Sequence, residues 1–304
     1  MSGLSGRRIQ LWVEARGGVP AVNPIMQALL AELRAAGADC AVLVPELEPI
    51  EPEQRHAPGP DLVLLKTATT LALSLAVADE VRGVPFLNGA RETLRAHDKA
   101  AAIAHLAAAG LPVPTTFLMA PAGAPGAWVT KPTRGVHGRG VAVHRTFPGV
   151  RGQEAGVSPP GRRGGEPATC HRPLAPDREP DYVVDDGTRL VQRWVGGWGG
   201  RGGRGEDVKV YVADDRCFAG RKRFGPTSFA ADAIEPITPD RRTEDTILAA
   251  GRALRLRCFG ADLRYDEGRP VIIDLNPFPG YRGFPGAVAA LRREIERRLA
   301  GADT

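Results

Sequence analysis

The first ninety residues alternate short apolar runs with segments whose apolar positions recur every three or four residues. RIQLWVEA, CAVLVP and DLVLLK have the length and composition of buried strands, and PFLN is a fourth candidate. NPIMQALLAELRAAG reads as a helix, with Asn23 as N-cap, Pro24 as first helical residue and Gly37 as C-terminal stop. A second apolar helix is predicted over residues 68–81. This alternation predicts a small parallel sheet.

Beyond residue 91 the pattern changes to a helix followed by hairpins. The helix is predicted over residues 92–109, and AWVTKP and GVAVH are short strands on either side of a glycine-rich loop. LVQRWV predicts another strand, and DVKVYVADDRCFAGRKRF predicts a hairpin. A helix over residues 240–256, a hairpin of GADLRY and VIIDLN, and a closing helix over residues 285–299 complete the chain.

Two segments lack any periodic apolar pattern. Residues 148–181 hold seven prolines and six glycines. The combined share of proline and glycine in this segment exceeds the roughly 25–30% that is typical of low-complexity sequence, so we expect a disordered or mobile insert. Residues 196–205, GGWGGRGGRG, mix Arg, Gly and Trp as single-strand nucleic-acid binders do. The alternative for this second segment is a flexible loop at the border of a cleft.

Composition places the chain among ordinary globular proteins. With 304 residues, 43% of them hydrophobic, the chain can form two or three modest domains. No apolar run approaches the roughly 18 residues that span a bilayer, and the N-terminus lacks an apolar signal segment. The four cysteines show no paired spacing, so reduced thiols and a cytoplasmic location are expected.

Charge adds a more specific indication. The net charge of +5 suits a phosphorylated ligand or a nucleic acid. Of 40 cationic residues only five are lysines. They are Lys66, Lys99, Lys131, Lys209 and Lys222. Because arginine serves wherever a general cation is needed, each lysine is a candidate for specific chemistry.

VIIDLNPFPG raises the question of what compensates an acidic side chain beside a buried strand. If Tyr265 pairs with Val271 across a five-residue turn, Asp262 lies opposite Asp274, and Asn276 shares their face. Two carboxylates and an amide oxygen suit a hard cation such as Mg²⁺. The alternative is an exposed acidic end of a hairpin.

KPTRGVHGRGV places three glycines behind Lys131. Such a loop can turn backbone N–H groups toward a phosphate, although it matches neither a P-loop nor a dinucleotide-binding turn. A plain hairpin turn is the alternative.

EDVKVYV alternates, so that Asp207, Lys209 and Tyr211 share a polar face and the valines face the core. Arg221, Lys222 and Arg223 end the same hairpin. This cationic cluster is either a solvated end or a clamp on phosphate charge.

The order of these pieces closely resembles the ATP-grasp superfamily. HDKAAAIAHLAAAGLPVPTTF, VTKPTRGVHGRGV, LVQRWV, DVKVYV and GADLRY with VIIDLNPFPG carry the resemblance, which covers residues 92–304. It implies an α/β (α+β) fold with a pre-ATP-grasp domain at residues 1–91. Within residues 92–304 it implies a lid subdomain at 113–195, containing the insert, and a C-terminal subdomain at 196–304.

The resemblance also implies cofactors and roles: ATP, with Mg²⁺ or alternatively Mn²⁺ held by Asp262, Asp274 and Asn276. The implied nucleotide contacts are Lys99, Lys131, Thr133, Gly135, Gly138, Gly140, Gln192, Arg193, Trp194, Val195, Asp207 and Lys222. Lys209, Arg221 and Arg223 would act on the reacting phosphate. Lys66, Tyr281 and Arg282 would meet the substrate.

The branch that the pattern resembles is that of the glutamate ligases and glutathione synthases. It implies a carboxylate–amine ligase that forms an amide through an acyl phosphate, with a small molecule or peptide as partner; a homo-oligomer is compatible with this. Two features depart from the pattern: the insert replaces a helix, and Asp274 stands where ligases more often have Glu. Because Asp occurs there in the inositol-phosphate kinases, which also share the FPGY-x-G run, a kinase is the alternative. A nucleic-acid binder is a third hypothesis.

Overall fold

The computed structural model describes residues 3–48, 59–118, 126–134, 141–144, 188–196, 206–223 and 234–301. The predicted insert at 148–181 and the Gly/Arg-rich residues 197–205 lie outside the described residues. So do Gly135, Gly138 and Gly140 of the loop behind Lys131. No helix in the described ranges is both long enough and apolar enough to cross a bilayer.

The N-terminal part is built on a parallel sheet, as predicted. Its elements are β1 (Arg8–Val13), β2 (Ala15–Arg16), β3 (Val19–Pro20), α1 (Pro24–Ala35), β4 (Asp39–Leu43), β5 (Leu62–Lys66) and α2 (Thr70–Val81). The strand order is β4-β1-β5, with both pairings parallel. PFLN contributes a single parallel bridge, between Phe86 and Val63, and no full strand.

The sequence signals for α1 are confirmed. Asn23 Oδ1 accepts a hydrogen bond from the Met26 N–H at 3.1 Å, and Pro24 is the first helical residue. Gly37 follows the C-terminal end with φ +93°, a left-handed conformation that glycine adopts without strain.

The single helix predicted over residues 92–109 is wrong, because the chain forms two. They are α3 (Ala90–His97) and α4 (Lys99–Ala108). Asp98 is extended between them, and its Oδ1 accepts hydrogen bonds from the backbone N–H groups of Ala100 and Ala101, both at 3.0 Å. The break places Lys99 at the first position of a capped helix.

A four-stranded antiparallel sheet follows. Its strands are β6 (Thr116–Phe117), β7 (Trp128–Pro132), β8 (Ala142–His144) and β9 (Arg189–Arg193), in the order β6-β9-β7-β8. The predicted pairing of AWVTKP with GVAVH is confirmed as β7 with β8.

A five-stranded antiparallel sheet completes the fold. The remaining elements are β10 (Glu206–Ala213), β11 (Arg216–Arg223), β12 (Ile234–Ile237), α5 (Arg241–Leu254), β13 (Phe259–Asp266), β14 (Arg269–Pro277) and α6 (Ala287–Leu299). The strand order is β12-β11-β10-β13-β14. One face packs on α5 through Val208, Val210 and Val212, which confirms the predicted apolar face of β10. The core on the other side is shared with α1 and α6.

The β13–β14 hairpin corrects the predicted register. Tyr265 pairs with Pro270 and not with Val271, because the turn contains only two residues, Glu267 and Gly268. A bulge then shifts the pairing by one residue, so that Asp262 still lies opposite Asp274.

Candidate active site

A cleft of about 780 Å³ is lined by residues from all three main sheets. Glu14 and Lys66 lie at the carboxyl ends of parallel strands, where open α/β sheets generally bind ligands. The four-stranded sheet contributes Lys131 and the five-stranded sheet contributes the acidic hairpin.

All five lysines of the chain line this cleft. They come from β5, α4, β7, β10 and β11, so the fold brings together residues up to 156 positions apart, from 66 to 222. The five lysines therefore converge on one cleft and are not scattered over the surface.

The two carboxylates of the hairpin each contact lysines. Lys99 Nζ donates to both oxygens of Asp274, at 2.8 and 3.1 Å. Lys209 Nζ donates to both oxygens of Asp262, at 2.9 and 3.0 Å, and Lys222 Nζ lies 4.0 Å from Asp262. Asp262 and Asp274 therefore lie side by side in a strongly cationic cleft.

The donor set fits a hard cation that takes most of its ligands from elsewhere. Asp262 and Asp274 are cross-strand partners, and Asn276 follows on the same strand and lines the cleft. The described part of the chain has no group of three His, Cys, Asp or Glu side chains placed to hold a metal. Two carboxylates and one amide suit Mg²⁺ bound chiefly by phosphate oxygens and water.

Burial and charge act against each other in the cleft. Burial acts to raise the pKa of Asp274, but the ammonium groups of Lys99 and Lys131 outweigh it and hold that pKa at about 2. Burial lowers the pKa of Lys131 to about 8, although Asp274 partly offsets this. Burial also acts against the charge of Lys209, yet Asp262 raises its pKa above the ordinary value. Asp274 is therefore ionised at neutral pH.

Lys131 is anchored at the bulge. Its Nζ donates to the carbonyl of Ile273 at 2.7 Å, and Ile273 is the extra residue of β14 at the register shift. The bulge thus links the four-stranded sheet to the acidic strand, in keeping with the frequency of bulges beside active sites.

Residues at and after the end of β9 add an amide and an aromatic ring to the lining of the cleft. Trp194 and Val195 line it, and the Arg264 guanidinium lies 3.9 Å from the Trp194 ring centroid. Arg264 also donates to Asp207 at 2.5 Å. Gln192 is 3% exposed, and its Nε2 has no hydrogen-bond partner among the described residues, so it can donate to a ligand.

His97 is a cleft residue that sequence reasoning missed. Burial and, to a smaller extent, the charge of Lys99 lower its pKa to about 4, although a hydrogen bond with the backbone of Thr67 opposes the shift. The imidazole is neutral at pH 7. The only sequence signal for His97 was its position two residues before Lys99. In the single continuous helix that the sequence predicted, side chains two residues apart point in different directions, so this signal was not used.

Several predicted site residues lie outside the lining of the cleft. Arg221 and Arg223 pair with Glu206 at 2.7 and 3.4 Å and face Glu235, so the solvated-end alternative describes them better than a phosphate clamp. Thr133 is buried, and its carbonyl accepts from the Lys99 N–H at 2.8 Å. It positions α4 and does not face the cleft.

The substrate contact predicted for Tyr281 is corrected. Its side chain is 0% exposed, and its hydroxyl donates to the Val212 carbonyl at 2.6 Å. It supports the FPGY-x-G segment from inside the core, while Arg282, Arg193 and Lys66 do reach the cleft.

This arrangement of three sheets around a lysine-rich cleft is the ATP-grasp fold, as the resemblance implied. D-cycloserine synthetase DcsG matches with a TM-score of 0.63 and 18% identity, over 96% of this chain and 99% of that one. A RimK domain ATP-grasp protein from Sphaerobacter thermophilus matches with 0.61 and 17%, over 96% and 100%. ATP-grasp ligase PsnB, complexed with minimal precursor, matches with 0.57 and 18%, over 97% and 98%.

Sequence similarity is more limited. A probable alpha-L-glutamate ligase 2 from Shewanella sp. (strain MR-4) is 26% identical over 108 residues, which is 33% of this chain and 34% of that protein. The match thus spans about a third of the curated relative. No protein-family model matches the chain. PsnB has also been crystallised with a precursor variant, Mg and ADP.

Proposed function

We propose that the protein is an ATP-dependent carboxylate–amine ligase that joins a carboxylate and an amine through an acyl phosphate. The observation that carries this proposal is the convergence of all five lysines on the paired Asp262 and Asp274 within an ATP-grasp fold. The similar structures include ligases for small molecules and one solved with a precursor peptide.

ATP is proposed to lie between the four-stranded and five-stranded sheets. Gln192, Trp194 and Val195 would border the base, and Asp207 would lie near the ribose. Lys99, Lys131 and Lys222 would contact the phosphates, with Lys209 near the phosphoryl group that is transferred. Support comes from the cleft, which all of these side chains line together with the acidic hairpin.

Asp262, Asp274 and Asn276 would hold Mg²⁺, which supplies charge neutralisation on the phosphates when bound. The residues of the chain then do two things. The lysines stabilise the negative charge that moves from the attacking carboxylate to the leaving oxygen of ADP, and the buried walls exclude water that would hydrolyse the acyl phosphate. The amine attacks the acyl carbon, and inorganic phosphate leaves with one oxygen of the original carboxylate.

The test is a phosphate-release assay with ATP, Mg²⁺ and a panel of carboxylates, each with and without amines. A ligase releases phosphate that depends on both partners. A kinase of the same fold makes a phosphorylated product without free phosphate, and its appearance would contradict the proposal. Salt-sensitive binding of single-stranded nucleic acid without any ATP turnover would favour the third hypothesis instead.

A further inference from the structure

Lys66 differs from the other four lysines in having no partner. Lys99, Lys209 and Lys222 lie beside carboxylates, and Lys131 donates to a carbonyl. Lys66 makes no hydrogen bond or ion pair with any residue in the described ranges. Burial without a partner is unfavourable for a cation, and it lowers the pKa of Lys66 to about 8.

The charges around Lys66 leave it in a positive field. Those that act on it belong to Glu14, Arg16 and Arg282. Glu14 Oε1 already accepts hydrogen bonds from Arg16, at 3.0 and 2.5 Å. Arg282 lines the cleft and, within the described part of the chain, has no ion-pair partner. Two uncompensated cations, Lys66 and Arg282, thus face the same end of the cleft.

This end is formed by Lys66, the last residue of β5, and by Arg282 in the segment after β14, and not by the carboxylates of the acidic hairpin. Lys99 and Lys209, and not Lys66, donate to Asp274 and Asp262. A carboxylate that receives a phosphoryl group must reach the Asp262–Asp274 end, and an amine that attacks an acyl phosphate is uncharged. Neither reacting group would neutralise Lys66.

We propose that Lys66 and Arg282 bind a second, non-reacting carboxylate, so that at least one of the two ligated molecules is an amino acid or a similar carboxylate-bearing compound. This inference rests on the proposed ligase function and specifies its substrate class. The shared chemistry is a free carboxylate, carried either by the amine acceptor or by the carboxylate donor.

Proton uptake is a consequence of this binding. A carboxylate beside Lys66 favours the ammonium form, so substrate binding raises the pKa of Lys66 and takes up a proton near pH 8. Affinity for the substrate falls as pH rises through about 8 in the wild type. The Lys66→Arg variant stays charged and therefore loses this pH dependence. Its planar guanidinium fits the site less well, so the KM of the carboxylate-bearing substrate rises at neutral pH.

The experiment uses lysine labelled with ¹³C at Cε, since only five signals arise from this chain. Lys66→Arg and Lys131→Arg assign the two signals that matter. The probes are L- and D-amino acids, dicarboxylic acids, and the matched compounds in which one carboxylate is an amide. Each is added to the protein with AMPPNP and Mg²⁺. We expect the free carboxylates to shift the Lys66 signal and raise its pKa, and the amides to have at least tenfold lower affinity.

The acid and amide pairs show whether the second carboxylate belongs to the amine acceptor or to the carboxylate donor. If the amine acceptor carries it, monocarboxylic amino acids bind more tightly than their α-amides. If the carboxylate donor carries it, dicarboxylic acids bind more tightly than their monoamides. Arg282→Gln should weaken the preferred probe at least tenfold, whereas the surface variant Arg91→Gln, 63% exposed in the wild type, should not.

Equal effects of acids and amides on the Lys66 signal, or no effect of any probe, would overturn this inference. The Lys131 signal reports the proposed function separately, because it should respond to AMPPNP and Mg²⁺ alone. A responsive Lys131 with an unresponsive Lys66 defeats only the substrate inference. An unresponsive Lys131 defeats the nucleotide site itself.

Discussion

Lys131 is a buried cation that links two sheets at this site. It is 7% exposed, and it donates to the extra residue of a bulge at 2.7 Å while acting on Asp274 from the neighbouring sheet. A compact ammonium can fit this position, whereas a guanidinium is planar and longer. The identity of the lysine therefore matters beyond its charge.

Lys131→Arg should weaken ATP binding or turnover at least about tenfold, or about 1.4 kcal/mol. Steady-state kinetics with ATP as the varied substrate measures this. Lys66→Arg is the matched variant, and it should raise the KM of the second substrate with little change in that of ATP. Wild-type kinetics in Lys131→Arg would mean that the lysine pattern is accidental.

Asp274→Asn and Asp262→Asn should each abolish turnover, because each removes a charged ligand of the proposed Mg²⁺ site while keeping the side-chain shape. Phosphate release measures the loss, and circular dichroism should show an unchanged fold. Full activity in either variant would contradict the metal assignment.

Asp274 should also make stability depend on pH. Its pKa of about 2 lies below the ordinary value of 3.8, so the ionised form stabilises the folded state above about pH 4, and that contribution is lost as pH falls toward 2. The Tm difference between wild type and Asp274→Asn should therefore shrink between pH 5 and 2 by roughly the contribution of one ion pair. A difference that stays constant over this range would show that Asp274 is not held ionised by its lysines.

At the scale of elements, the break between α3 and α4 could not be predicted from periodicity. Asp98 and His97 are both tolerated inside helices, and the apolar positions continue across them. The break depends on the cap formed by Asp98 and on the bond from the Lys99 N–H to the Thr133 carbonyl, a contact distant in sequence. Local propensity carries no information about such a contact.

Asp98→Ala should lower the free energy of unfolding by about 1 kcal/mol, because two backbone N–H groups lose their acceptor. Chemical denaturation measures the change, and the KM for ATP should rise as Lys99 loses its fixed position. Asp98→Asn retains the cap and serves as the control. A longer, more stable helix in Asp98→Ala, without any kinetic effect, would contradict this role.

The acidic hairpin was predicted correctly for an incomplete reason. Two one-residue errors cancel: the turn is tighter than expected, and a bulge at Ile273 restores the pairing of Asp262 with Asp274. Asp-Glu-Gly could signal a short turn, with Glu267 at φ +47° and Gly268 at φ +75°, but the bulge leaves no mark in a run of Val and Ile.

Gly268→Ala should cost about 1 kcal/mol of stability, because φ is positive there while no atom lies within 4 Å of an added Cβ. Glu267→Asn should instead stabilise by a few tenths of a kcal/mol, since Asn accepts left-handed φ more readily. Changes of opposite sign in the free energy of unfolding of the two variants, measured by urea denaturation, would support the two-residue turn. A neutral Gly268→Ala would indicate another turn geometry.

For the molecule as a whole, the sequence predicted the helices and strands better than the contacts between the N-terminal part and the C-terminal sheet. The order of motifs predicted the fold, and the apolar faces of α1 and β10 were correct. The link between the N-terminal part and the C-terminal sheet was not visible. Asn88, within the supposed strand PFLN, accepts from the Arg257 and Cys258 N–H groups at 2.9 and 3.1 Å.

This joining explains how the cleft is formed. The shared core of α1 and α6 fixes the parallel sheet against the five-stranded sheet, so that Lys66 faces the same space as Asp274. The domain division at residues 91 and 92 stays a prediction. The parts on either side of it share one of the main cores of the described chain.

Amide formation through an acyl phosphate can be tested by following the transfer of one oxygen atom. The substrate pair found in the phosphate-release screen is turned over with the donor carboxylate labelled with ¹⁸O, and the released phosphate is analysed by ³¹P NMR. We expect one ¹⁸O atom in each phosphate formed, because the carboxylate oxygen that attacks ATP leaves with the phosphoryl group. Phosphate without ¹⁸O would mean that water attacks ATP, and a phosphorylated product without free phosphate would mean that the enzyme is a kinase.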